Sequence, residues 1–258
     1  MRNNLWGELT SEFLGTALLI FLGDGVVASA VLYGAYQGQW QPSILWGLSV
    51  ALCVYVVGAV SGAHFNPAVT IALGLFRKFP PGKILPYIAA QIVGGFVGAA
   101  VLHGIIAPVL NVKGLNAATA RIFSTYPGAG FPNFNAFLME VVLTMFLVLV
   151  ILAIGDARAA GAPKAGLGAI VVGLTVALLV GIGGPWTMAA LNPARDLGPR
   201  LWMAVAGWGA VAFPGPNSYW WVPILGPLVG GGILAGLVYD GLVGRFIPSV
   251  DEAKRDAA

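Results

Sequence analysis

Two triplets, Asn66-Pro67-Ala68 and Asn192-Pro193-Ala194, are the residues of this chain whose types and spacing bear most directly on chemistry. An asparagine before a proline caps a helix. Its side-chain oxygen accepts from an early backbone N–H, and the proline sits at the first helical position, where no N–H is needed. The capping asparagine still has a side-chain NH₂ that can donate. Each triplet opens an apolar piece, 67–77 and 193–204, too short to cross a bilayer. Eleven residues rise about 16 Å, roughly half of a hydrocarbon core of about 30 Å. Each piece follows a stretch of small and turn-forming residues, Ser61–Phe65 and Gly183–Leu191. Non-helical backbone at membrane depth survives only where it is buried or lines a watery cavity. In an extended run, successive carbonyls can face a lumen. Gly62, Ala63 and His64 are expected to form one such ladder, and Met188, Ala189 and Ala190 the other. Where two half-helices meet amino end to amino end, both positive dipole ends converge. A neutral hydroxylated molecule would meet acceptors along one wall and the Asn66 and Asn192 donors at the centre, whereas a cation would be repelled.

The elements that must position these triplets follow from composition. Of 258 residues, 58% are hydrophobic and 9% charged, against roughly 25% charged in a soluble domain. That excludes a water-soluble enzyme, a disordered chain and a nucleic-acid binder. One cysteine and two histidines leave neither a disulfide framework nor a zinc site, and no cofactor or metal is expected. Six stretches are long and apolar enough to span a bilayer, at about 9–31, 43–60, 84–106, 136–155, 166–183 and 221–243. With the amino terminus inside, the inner segments carry Arg2, Arg77, Lys78, Lys83, Arg158, Lys164, Arg245, Lys254 and Arg255. The outer loops carry Lys113 and Arg121. This bias places both termini on the cytoplasmic side of a multi-pass protein of the cell membrane.

The two halves repeat. Glu12–Thr16 matches Glu140–Thr144, Asn66-Pro67-Ala68 matches Asn192-Pro193-Ala194, and Val93-Gly94-Gly95 matches Val229-Gly230-Gly231. Each unit, about 8–106 and 136–243, is span, span, short helix, span. An odd number of spans per unit makes consecutive units insert upside down relative to each other. The expected fold is therefore an all-α membrane protein, a single channel domain over 1–258 with six transmembrane helices plus two half-helices in two inverted repeats.

Ser61–Thr70 (SGAHFNPAVT) and Leu191–Arg200 (LNPARDLGPR) resemble the two signature loops of the aquaporin, or major intrinsic protein, family. The resemblance covers about residues 6–245. Asp196 directly after Arg195, Trp46 twenty residues before Asn66, and Thr125-Tyr126-Pro127 are similar to the glycerol facilitator (aquaglyceroporin) branch. The resemblance implies passive diffusion of glycerol and other small neutral solutes, with water, across the lipid bilayer, and a homotetramer. It also implies a narrow ring near the outer mouth, formed by Trp46, Val180, Ala189 and Arg195. Glycine and phenylalanine are usual where Val180 and Ala189 stand, so the ring is expected to be wider, with Met188 or Phe134 available to refill it. Glu12 and Glu140 are implied as supports of the carbonyl-bearing loops, accepting backbone N–H bonds, and Asp196 is expected to support the loop or hold Arg200 rather than touch solute.

Other residues leave alternatives open. Asp24, about 18 Å along the first span from Glu12, is expected to have a structural hydrogen-bonding role. His64 offers its carbonyl to the lumen, with pH gating as the alternative. Cys53, seven residues after Trp46, either borders the lumen or packs between helices. Gly94/Gly98 and Gly232/Gly236 read as helix crossings. A water-dedicated channel is one rival function. An ion-coupled transporter, which also uses broken helices, would need titratable pairs or ion ligands that the triplets do not supply. An intramembrane enzyme would need a nucleophile with its base.

Overall fold

The computed structural model describes residues 4–159, 161–163 and 165–248; Arg2, Lys164, Lys254 and Arg255, counted above for sidedness, lie outside them. The helices in order are α1 (Leu5–Tyr33), α2 (Trp40–Ser61), α3 (Pro67–Phe76), α4 (Pro81–Lys113), α5 (Ala117–Ala120), α6 (Asn133–Ile154), α7 (Gly168–Thr187), α8 (Pro193–Ala206), α9 (Val222–Pro227) and α10 (Ala235–Val238). Six stretches are long and apolar enough to cross a membrane: α1, α2, α4, α6, α7 and Gly209–Phe246. The last of these contains α9 and α10 and turns π-helical over Leu228–Leu234 and Tyr239–Val243. The fold is all-helical among the described residues, with α3 and α8 as the half-length helices that open at Pro67 and Pro193.

Polarity is inverted relative to a soluble bundle. Leu52 and Leu174 point outward, 57% and 60% exposed, while Glu12, Asp24, Glu140 and Arg200 are fully buried. A bilayer explains this, because its interior solvates leucine and cannot solvate a carboxylate.

Two helices run further than the sequence suggests. α4 continues past Pro108 to Lys113, and α7 continues past Pro185 to Thr187. A proline usually ends a helix, but inside a membrane bundle neighbouring groups satisfy the backbone it frees. Gly183 and Gly184 are consequently helical, a correction to their placement in irregular pore backbone. Their role is close packing: a Cβ on Gly183 would strike the Leu143 side chain, and one on Gly184 the Gln39 amide.

Glycines also set the crossings. Gly94 and Gly98 of α4 lie against the Phe13 and Ala17 carbonyls of α1, leaving no room for a Cβ. Gly230 meets the Val141 carbonyl of α6 in the same way. Gly47 of α2 and Gly173 of α7 make room for each other's carbonyl. The Gly232/Gly236 pair packs on the half-helix α3, at Ile71 and Phe76, rather than on a long helix. This adds a packing duty at the π-helical turn, where the ladder carries a locally widened ring.

A polar cluster ties one end of the bundle together. Arg77, which ends α3, pairs with Asp240 at 2.8 Å and lies over the Tyr239 ring. Tyr239 Oη donates to Asp156 Oδ2 at 3.2 Å, and Asp156 pairs with Arg158 at 2.7 Å. The Arg158 guanidinium holds the Asp156 carboxyl below the usual carboxylate range.

Two outcomes follow. Gly230→Val would force a side chain into the Val141 carbonyl and destabilise the protein by about 3 kcal/mol, read as a lower unfolding midpoint in detergent. Folding lowers the Asp156 pKa from its ordinary 3.8. The associated stability is therefore complete above about pH 5 and is lost as pH falls below about 4. Asp156→Asn should flatten that acid limb of the unfolding midpoint against pH.

Candidate functional site: the cavity between the two half-helices

The short helices meet at their amino ends. Asn66 Oδ1 accepts from the Ala68 N–H at 2.9 Å, and Asn192 Oδ1 accepts from the Ala194 and Arg195 N–H groups at 2.9 and 3.2 Å. Each asparagine then reaches across the junction. Asn66 Nδ2 donates to the Leu191 carbonyl at 2.8 Å, and Asn192 Nδ2 donates to the Phe65 carbonyl at 2.8 Å. One of the two side-chain N–H groups of each asparagine is thereby used, and the other remains.

The segments before the half-helices are irregular over Gly62–Phe65 and Met188–Leu191, but they are not extended strands as expected. Gly62, Ala63 and Phe65 have φ of 85°, 52° and 53°, and Met188, Ala189 and Leu191 have 60°, 50° and 57°. Left-handed backbone at non-glycine residues is strained, so outside groups must hold it. Glu12 accepts from the His64 and Phe65 N–H groups at 2.9 and 2.8 Å. Glu140 accepts from those of Ala190 and Leu191 at 2.8 and 2.9 Å. Ser61 Oγ and Thr187 Oγ1 accept from the Ala63 and Ala189 N–H groups at 3.0 and 3.2 Å. With their N–H groups turned toward these acceptors, the peptides can direct carbonyls the other way.

The halves diverge around this shared core. Gln91 Nε2 donates to Glu12 at 2.8 Å and to Thr70 Oγ1 at 3.0 Å, and Thr70 Oγ1 lies 3.1 Å from His64 Nδ1. Asp196 occupies the place in the second half that Thr70 has in the first. It turns to the outer loop instead, accepting from the Thr125 N–H and Oγ1, both at 2.7 Å, and from Arg200 Nε at 2.6 Å. Asp196 thus holds both the outer loop and Arg200, as expected, and is not a lining residue of the cavity at the junction, whereas Glu12 and Glu140 hold the irregular segments before the half-helices.

A cavity of about 190 Å³ lies along this junction. Its lining combines Gly62, Ala63, His64, Met188, Ala189, Ala190, Asn66 and Asn192 with apolar side chains, Val50, Val54, Val172 and Val176 among them. Trp46, Val180, Ala189 and Arg195 all line it. The Arg195 guanidinium sits 4.7 Å over the Trp46 ring, and its Nη1 donates to the Phe123 carbonyl at 3.0 Å. Met188 reaches the cavity, whereas Phe134 is 66% exposed and does not line it. Cys53 is buried among hydrophobic side chains and is not a lining residue.

Four contributors escaped the sequence reading. Gln39 Nε2 donates to the Val180 carbonyl at 3.2 Å, fastening that wall. Gln91 carried a signal, being a lone amide in an apolar span. The Phe123 and Phe65 carbonyls carried none, since any residue has one.

Glu140→Gln would set an NH₂ against one of the two N–H groups that its carboxylate now satisfies. A loss of about 2–3 kcal/mol is expected, the value of a hydrogen bond to a charged acceptor. A lower unfolding midpoint together with reduced solute flux would show it.

The profile of the major intrinsic protein family matches residues 1–239. The glycerol uptake facilitator protein of Escherichia coli (strain K12) is 42% identical over 258 residues, covering 95% of this chain and 91% of that protein. Human aquaporin-9 is 43% identical over 248 residues, covering 93% and 83%. The X-ray structure of the aquaglyceroporin from Plasmodium falciparum superposes with a TM-score of 0.87 at 33% identity, covering 95% of this chain and 99% of that one. Six bilayer-length apolar stretches, two half-helices joined through their capping asparagines, and this match along nearly the whole chain lead to one conclusion: the protein is a multi-pass membrane protein of the major intrinsic protein family.

Proposed function

We propose that this protein is a membrane channel for passive diffusion of glycerol and other small neutral solutes, with water, excluding ions and protons. The observation that carries the reading is a cavity at the asparagine junction whose lining mixes irregular backbone segments with apolar side chains. A polyol has hydroxyls along one edge and carbon along the other. In this reading the carbonyls of the lining residues Gly62, Ala63, His64, Met188, Ala189 and Ala190 suit the first, and the valine side chains suit the second. Asn66 and Asn192 each keep one N–H as a central donor, and their half-helix dipoles oppose a cation. Such a channel works without any covalent step.

Trp46, Val180, Ala189 and Arg195 form the selectivity constriction in this reading. Trp46 offers an apolar face to the carbon backbone, and Arg195 has donors for hydroxyls. Ala189 leaves open the space that an aromatic side chain would take, and Val180 adds an apolar lining residue. A ring opened at Ala189 favours polyols over strict water selectivity, as do relatives named for glycerol uptake. The site lies at the interface of two units, 8–106 and 136–243, read as inverted repeats. In the same reading the chain assembles as a homotetramer in the cell membrane with both termini cytoplasmic.

Stopped-flow light scattering on proteoliposomes tests the function. Glycerol permeability well above that of empty liposomes is expected. Glycerol permeability equal to that of empty liposomes, with raised water flux, would leave a water-dedicated channel. Ala189→Phe should narrow the ring, lowering the flux of four- and five-carbon polyols more than that of glycerol while water flux persists.

A further inference from the structure

We propose that Asp24 is a positioning and charge-setting residue for the constriction, neutralising the Arg195 guanidinium from behind so that the ring selects by size and hydrogen bonding rather than by charge. The proposal deepens the reading above and rests on Arg195 as a constriction residue. Asp24 lies on α1, fully buried and outside the cavity lining. Its Oδ1 is 3.1 Å from Arg195 Nη2. The neighbouring Gly23 brings the α1 backbone directly against the Trp46 ring, so that a Cβ there would strike the indole. α1 therefore backs both Trp46 and Arg195, and Asp24 is the group it presents to the arginine.

Two comparisons separate this from an ordinary structural tie. The buried carboxylates of Glu12 and Glu140 both accept backbone N–H bonds. Neither oxygen of Asp24 accepts a hydrogen bond of good geometry among the described residues. What Asp24 contributes is charge at short range rather than a directional bond. The second comparison is the neighbouring pair. Asp196 is committed to Arg200, at 2.6 Å, and to Thr125. Arg200 in turn donates to the Thr125 and Ala212 carbonyls. With Asp196 and Arg200 matched, Asp24 is the carboxylate that pairs with the Arg195 charge.

The arrangement has two consequences. Arg195 is held between the Phe123 carbonyl, the Trp46 face and Asp24, at the cavity edge. The local field at the ring is close to neutral, so a small anion gains little there, and exclusion of cations falls mainly to the half-helix ends.

The test is chloride entry into proteoliposomes holding a chloride-quenched fluorophore, with glycerol flux measured on the same vesicles. Asp24→Asn keeps the shape and removes the charge. It should raise chloride entry per unit of glycerol flux by about tenfold, because an uncompensated guanidinium then faces the lumen in a low dielectric. Asp24→Ser should move the ratio in the same direction and replaces Asp24→Asn if that variant does not fold. A ratio unchanged from wild type in whichever neutral variant folds, with glycerol flux intact, overturns the role of Asp24 alone. Wild-type glycerol flux no greater than that of empty liposomes would instead remove the channel reading beneath it.

Discussion

A backbone N–H inside a bilayer must be satisfied by the protein itself, and this structure is arranged around the places where helices cannot do it. Left-handed residues at Ala63, Phe65, Met188, Ala189 and Leu191 interrupt the ladder. Two buried carboxylates, Glu12 and Glu140, take up the N–H groups so exposed. Each sits on the helix that the close-packed glycines hold nearest, Gly94 beside Phe13 and Gly230 beside Val141. The glycine crossings bring in the glutamates, the glutamates hold the irregular segments, and the irregular segments line the cavity. Loss of any of the three would leave polar backbone without a partner in lipid, at several kcal/mol per group.

The same logic separates the two halves. The cross-junction bonds of Asn66 and Asn192 are equivalent, as are the duties of Ser61 and Thr187. Beyond that core the second half exchanges a local polar cluster, built from Gln91, Thr70 and His64, for a charged one built from Asp196, Arg200 and Thr125. The first cluster stiffens the junction and the second pins the outer loop. Pinning that loop fixes the Phe123 carbonyl, and with it one side of Arg195. The surroundings of Arg195 therefore come from separate elements: α1 through Asp24, α2 through Trp46, and the outer loop through Phe123.

Much of this was legible in the sequence. Six long apolar stretches, two repeated triplets that cap half-length helices, and paired glutamates at matching repeat positions required no coordinates, because each follows from bilayer thickness or helix-end chemistry. The errors are equally physical. The apolar stretches 84–106 and 166–183 stop short of helices that run on through Pro108 and Pro185, because neighbouring groups in the bundle satisfy the backbone a proline frees. Gly183 and Gly184 belong to the stretch expected as irregular pore backbone, and they are instead helical contact surfaces. The ladders are left-handed rather than extended, and a single sequence shows which residues are small but not which sign of φ they adopt.

Composition and periodicity alone therefore determined the solvent of this chain, the number of its crossings and the two places where a helix begins inside the membrane. These are local or one-dimensional properties. Tertiary structure alone decided which partners the buried charges take. Asp24 and Arg195 are separated by most of the chain, as are Glu140 and the peptides it holds from the next half-helix by fifty residues. Pairing at such range depends on which helix faces which, and that is settled by where a missing Cβ lets two backbones touch.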